Sequence, residues 1–98
     1  MKIKKCYIAG KIGSLPESEY KEKFAKAKKK VIKMFLDPVN PVELPHLHDH
    51  SWESYMKEDL AELLKCDYLY ACKDWRESKG ATIEVNLALA LKITVIFQ

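Results

Sequence analysis

The sequence predicts an α/β domain in which a parallel sheet of four or five strands carries helices on both faces. Three observations predict it. Short, continuous apolar runs alternate with segments of helical period along the 98 residues. Strands buried on both faces read as such unbroken runs, whereas half-exposed strands alternate. The order β-α-(β)-α-β-α-β needs helical crossovers, which join parallel neighbours with a right-handed turn.

The elements follow in chain order. Residues 3–9 end in the run Cys6-Tyr7-Ile8-Ala9 and then Gly10, a buried strand followed by a turn. Ser14 and Glu17 have capping-box spacing, and Pro16 suits an early helical position. Tyr20, Phe24, Ala27, Val31 and Met34 then recur every three or four residues, one apolar helix face. Residues 37–45 hold three prolines, which limits them to a short strand near Phe35–Asn40 and an extended loop. Ser51 suits the N-cap of a second helix whose apolar side includes Trp52, Tyr55, Met56, Leu63 and Leu64. Residues 67–72 form a clear strand, and a polar loop follows. Ser78 then caps a third helix, from about Lys79 to Leu91, apolar almost all round and so expected to be covered on both sides. Residues 93–97 make the last strand. The whole reads as one domain over residues 1–98, three-layered in the Rossmann-like or flavodoxin-like manner.

Composition narrows the function. Hydrophobic residues make up 48% and charged residues 32%, ordinary for a globular chain that builds a modest core. Association into a homodimer or higher homo-oligomer would help so small a core. The net charge is +3, and seven lysines fall between Lys21 and Lys33, on one helix. A solvated helix face accounts for them; a nucleic-acid surface would add arginines, aromatics and a wider basic stripe. Cys6, Cys66 and Cys72 form no close-spaced pair, and Cys6 and Cys72 sit inside apolar runs as buried thiols, which suggests a reducing setting. No leader is read at the start, and no apolar run approaches the roughly 20 residues of a membrane span. The expected location is the cytoplasm, with no membrane partner.

Open parallel sheets bind ligands beyond the C-terminal ends of their strands. The unusual residues cluster there. Gly10, Gly13 and Ser14 follow the first strand and can present backbone N–H groups to an anion, or serve only as a turn. They complete neither a Walker A loop nor a dinucleotide fingerprint. Asp74, Trp75, Arg76, Ser78 and Gly80 follow the 67–72 strand, and Glu84 lies one turn into the next helix. Glu84 shares its helix face with Ala81, Ala88 and Leu91, where a carboxylate is costly without a partner. That partner is Arg76 or a tyrosine, or else the group is kept for chemistry. Tyr7 is a core ring or a hydroxyl donor to Glu84. Trp75 can stack on a flat ligand ring or lid the core. Asp67 opens its strand as a turn residue, and Asp74 can be a solvated loop residue. His46, His48 and His50 alternate in an extended loop, so that all three point one way. No second ligand cluster accompanies them in the sequence; they read as surface histidines, and no metal is expected.

An ordered set of residues runs through the chain: Tyr7-Ile8-Ala9-Gly10, then Ser51-Trp52…Tyr55-Met56…Asp59-Leu60, then Trp75…Ser78-Lys79-Gly80-Ala81…Glu84 with Ala88. It resembles the nucleoside 2-deoxyribosyltransferase superfamily, and more closely its small bacterial and phage members. The resemblance implies that Glu84 is a nucleophile attacking C1′ of a deoxyribonucleoside, with Tyr7 orienting it and Asp67 assisting departure of the base. The logic is that of retaining glycosidases. It needs no cofactor. At the position of Ser78, the resemblance links aspartate to a free 5′-hydroxyl and serine to a 5′-phosphate, so Ser78, the Gly10–Ser14 loop and Arg76 point to a deoxynucleoside 5′-monophosphate. The alternatives are a nucleotide- or metabolite-binding domain without chemistry and, behind both, a nucleic-acid binder through the lysine helix.

Overall fold

The computed structural model describes residues 3–98. Four strands form one parallel sheet: β1 (Lys5–Ala9), β2 (Asp37–Val39), β3 (Tyr68–Ala71) and β4 (Thr94–Phe97). Three α-helices connect them: α1 (Glu17–Lys33), α2 (Trp52–Leu63) and α3 (Lys79–Ala90). The strand order is β2-β1-β3-β4. The chain therefore steps from β1 to one side for β2 and then crosses back to the other side for β3. That reversal opens a crevice at the C-terminal ends of β1 and β3, the place where such sheets take ligands.

Side-chain alternation sorts the core into two layers. From β1, Cys6 and Ile8 point to one face and pack with Phe24, Ala27 and Val31 of α1, together with Tyr70 and Cys72. Tyr7 and Ala9 point to the other face, where Leu63 of α2 and Ala81, Val85 and Ala88 of α3 cover them along with Leu69 and Ala71. The period of two in β1 thus assigns α1 to one face and α2 with α3 to the other. All three cysteines are free and buried.

Two N-caps form as read from the sequence. Ser51 Oγ accepts from the Ser54 amide at 3.1 Å and Ser78 Oγ from the Ala81 amide at 3.2 Å. The capping box at Ser14 does not form. Pro16 disfavours helical backbone at Leu15, so α1 starts at Glu17 with Pro16 in the cap place and no side-chain cap. Ser14 instead has φ 68°, in the left-handed region.

Two apolar faces are also less covered than the sequence suggests. In α2, Met56 and Leu63 are buried while Trp52 and the following Leu64 are exposed. In α3, Ala81, Val85 and Ala88 are buried, but Ile83, Leu89 and the following Leu91 are exposed. The reason is architectural: each face of the sheet carries one layer of helix, and among the described residues no element packs outside α3. Phe97 is exposed because β4 is an edge strand.

Candidate active site

A cavity of about 800 Å³ opens at the C-terminal ends of the strands. Its floor is Tyr7 and Glu84. Tyr7 enters from β1 and Glu84 from the second turn of α3, and the tyrosine hydroxyl donates to Glu84 Oε2 at 2.6 Å. Glu84 is one of two buried polar residues among those described, with 5% of its surface exposed. Burial pushes its pKa up to about 8; the Tyr7 hydrogen bond works against that rise and the nearby charge of Asp59 adds to it. Tyr7 is itself held well above the ordinary phenol value, first by burial and then by the charge of Glu84. One carboxylate oxygen is thus fixed by a phenol while the group faces a cavity large enough for a small molecule.

The β1–α1 turn borders the cavity through Gly10, Gly13 and Ser14, and the α3 N-terminus through Ser78 and Gly80. Gly10 is there for closeness. A Cβ on it would lie 3.0 Å from Cys72 Cβ and 3.1 Å from Cys72 Sγ. Gly80 faces Met56, whose flexible Sδ would lie 3.0 Å from an added Cβ, and the Trp52 indole nitrogen at 3.9 Å. Helix α2 supplies a wall of Trp52, Tyr55, Met56 and Asp59. Asp59 Oδ1 is buried without a hydrogen-bond partner, and burial lifts the carboxyl pKa to about 6 against a lowering influence from His46.

Seven residues singled out in the sequence therefore meet in one place: Tyr7, Gly10, Gly13, Ser14, Ser78, Gly80 and Glu84. Four others lie elsewhere. Asp67 stands just before β3, at the N-terminal edge of the sheet, exposed and on the far side from Glu84; its amide donates to the Lys5 carbonyl. A strand has two ends, and opening the strand puts Asp67 at the wrong one. Asp74 is tied down as a structural residue, accepting from the Lys11 amide at 3.1 Å and from Lys23 Nζ at 2.6 Å. Trp75 packs its ring 5.8 Å from that of Phe97, and the Arg76 guanidinium lies 5.0 Å from the Trp75 ring. Both border a smaller hollow beside β4. Arg76 is accordingly not the partner of Glu84; Tyr7 is.

Asp59 is the carboxylate that the sequence reading passed over. The signal was present. Asp59 follows Met56 by three residues and precedes Leu63 by four, so it lies on the buried stripe of α2. His46 and His50 also border the cavity. His48 does not, but it joins His46 and Glu58 in a group whose ligand atoms all lie within 4.8 Å of one another. The second ligand source missing from the sequence reading is thus supplied by α2.

Sheet order, cavity and buried carboxylate define a doubly wound α/β domain with a small-molecule cavity at its topological switch point. The chain belongs to the family described as a domain of unknown function, DUF4406, which matches residues 4–97. A conserved protein from Enterococcus faecalis V583 is similar in structure, with a TM-score of 0.71 and 23% identity over 98% of this chain and 63% of that one. A 2-deoxyribosyltransferase from Bacillus psychrosaccharolyticus is similar to the same degree, with a TM-score of 0.71 and 21% identity over 95% of this chain and 70% of that one. The chain thus shares the 2-deoxyribosyltransferase fold while spanning about two thirds of each neighbour's length. No curated protein matches. Among the described residues no helix is long and apolar enough to cross a membrane.

Proposed function

We infer that this domain cleaves the N-glycosidic bond of a deoxynucleoside 5′-monophosphate, with Glu84 as nucleophile. The observation that carries the reading is the Tyr7–Glu84 pair, buried at the floor of a cavity at the switch point. In the ionised state a Glu84 oxygen attacks C1′. The C1′–N bond breaks and its electron pair leaves with the base. A proton from the second cavity carboxyl, Asp59, neutralises the departing nitrogen. The resulting glycosyl ester is opened at C1′ by water, or by another base, whose proton passes back to the Asp59 carboxylate, and Glu84 is released as a carboxylate. Tyr7 holds one oxygen so that the other is aimed, and its hydrogen bond favours the anion. Asp59 takes the part that the sequence resemblance gave to Asp67, because it alone of the two borders the cavity.

The phosphate preference rests on the mouth. The Ser78 hydroxyl oxygen accepts the Ala81 amide, which leaves its proton free for a ligand oxygen. The α3 N-terminus stands behind it, and Lys11, Lys21 and Lys79 border the same cavity. Three free, buried thiols fit a reducing, cytoplasmic setting.

Incubation with deoxynucleosides and their 5′-monophosphates, followed by chromatography for free base, tests this reading. Base release from monophosphates in preference to nucleosides is expected. Equal release from both would remove the phosphate assignment. A second reading, ligand binding without chemistry, is favoured by the raised pKa of Glu84, which keeps most of the group neutral near pH 7. It predicts thermal stabilisation by these compounds with no free base from any of them.

A further inference from the structure

Beside the cavity lies a cluster that the glycosidic reading does not use. His46 and His48 sit on the loop before α2, and Glu58 projects from α2 itself. The two imidazole rings lie 5.4 Å apart, packed against Tyr55 one turn before Glu58, with centroid distances of 4.7 and 4.5 Å. His46 Nδ1, His48 Nε2 and Glu58 Oε1 are all shut off from solvent and all lack a hydrogen-bond partner. Buried polar atoms are normally satisfied, so three orphans converging on one place call for a common partner.

The details fit a cation. His46 Nε2 is 2.9 Å from the Pro41 carbonyl. A carbonyl only accepts, so Nε2 carries a proton, and Nδ1, turned toward Glu58, is the nitrogen that can give up its proton and take a metal. Such an outer-shell carbonyl is what usually orients a metal-binding histidine. Nδ1 lies 2.5 Å from Glu58 Oε1, close enough for a shared proton though not aligned for a hydrogen bond. A proton shared by the two would answer for that pair, but not for His48 Nε2.

We propose that His46, His48 and Glu58 form a binding site for a divalent transition metal, with zinc the best match. Two imidazoles and one carboxylate suit that ion, and three protein ligands leave a fourth tetrahedral position for water. Zinc–nitrogen and zinc–oxygen bonds near 2 Å separate tetrahedral ligands by about 3.3 Å. The His46–Glu58 approach therefore opens by roughly 1 Å on binding. His48 must also change. Its Nδ1 accepts the His50 amide at 3.0 Å, so in the metal-free chain the ring proton sits on Nε2. Zinc at Nε2 moves that proton to Nδ1 and releases the His50 amide. The metal would pin the 46–50 loop to α2, fixing one wall of the cavity. This site does not depend on the glycosidic reading.

The test uses the full chain without an affinity tag, stripped with chelator and titrated with zinc by calorimetry. The buried cysteines leave the histidine cluster as the principal candidate for tight binding. One zinc per chain is expected, with a rise in unfolding temperature. His46→Ala and Glu58→Gln should each weaken binding at least about tenfold, the loss that even an outer-shell partner produces. His50→Ala should leave it nearly unchanged. In amide-exchange measurements, the His50 amide should exchange faster in the zinc form. No saturable binding by the wild type overturns the proposal outright, whatever the variants do. So does binding that survives both His46→Ala and Glu58→Gln, or that His50→Ala abolishes.

Discussion

At Glu84 burial and chemistry pull in opposite directions. Burial disfavours its charge, whereas nucleophilic attack requires it, and the Tyr7 hydroxyl at 2.6 Å is the group that offsets burial. The consequence for stability has a definite sign. The pKa is raised from 4.5 to about 8 in the folded chain, so the folded state keeps its proton where the unfolded state has lost it. The stabilising share of the group is whole below about pH 4.5 and is lost as pH rises toward about 8. Glu84→Gln keeps the shape and an acceptor for Tyr7 but cannot ionise, so it should escape this loss. Its stability advantage over the wild type is expected to grow between about pH 5 and pH 8, by roughly 3–5 kcal/mol. Urea unfolding of both proteins across that range reads the difference, and a gap that stays constant would contradict a carboxyl buried neutral. Glu84 was legible before the structure because a carboxylate among alanines on a helix face is conspicuous. Its partner was left between Arg76 and a tyrosine, since only the packing of β1 against α3 brings residue 7 to residue 84.

Helices α1 and α3 end alike. After α1 the Leu36 amide donates to the Val31 carbonyl and the Phe35 amide to that of Ile32; after α3 the Ile93 amide donates to Ala88 and the Lys92 amide to Leu89. Both are Schellman closures, which place one residue in the left-handed region. Those residues are Phe35 and Lys92, each at φ 61°, where glycine is the usual occupant. Phe35 is also 89% exposed, so its ring adds little to the core. Relief of left-handed strain, about 1–2 kcal/mol, should outweigh the added freedom of the unfolded chain. Phe35→Gly is therefore expected to raise stability by about 0.5–1 kcal/mol and the Tm by a few degrees. A lower Tm would show that the ring contributes more than its exposure suggests. At this scale the sequence was readable wherever a local cause acts: Ser51 and Ser78 cap their helices, and the apolar runs became strands. It misled where a neighbour decides. Pro16 overrode the Ser14 cap, and the cover expected over α3 needs a layer that four strands do not provide.

Across the whole molecule, one topological fact organises the site. The order β2-β1-β3-β4 splits the connections at β1 and β3, and the cavity stands over that split with α2 and α3 as its walls. Of the residues read from sequence as following a strand's C-terminal end, those after β1 and those entering α3 border the cavity. Asp67, Asp74, Trp75 and Arg76 were drawn to the site by nearness in sequence; the fold sends Asp67 to the opposite edge and Trp75 and Arg76 to the β4 side, and ties Asp74 to Lys11 and Lys23. Asp59 and the histidine loop arrive from a helix and a loop between β2 and β3; helical period puts Asp59 on the buried stripe of α2, but only the long-range fold brings it to the cavity. The account of function turns on a single bond, the ester between Glu84 and C1′. The direct measurement is mass analysis of acid-quenched enzyme during turnover of a deoxynucleoside 5′-monophosphate. The account predicts a mass increase equal to one deoxyribosyl phosphate, carried on the peptide that contains Glu84 and absent from Glu84→Gln. Turnover with the sugar on another residue, or base release undiminished in Glu84→Gln, would contradict it.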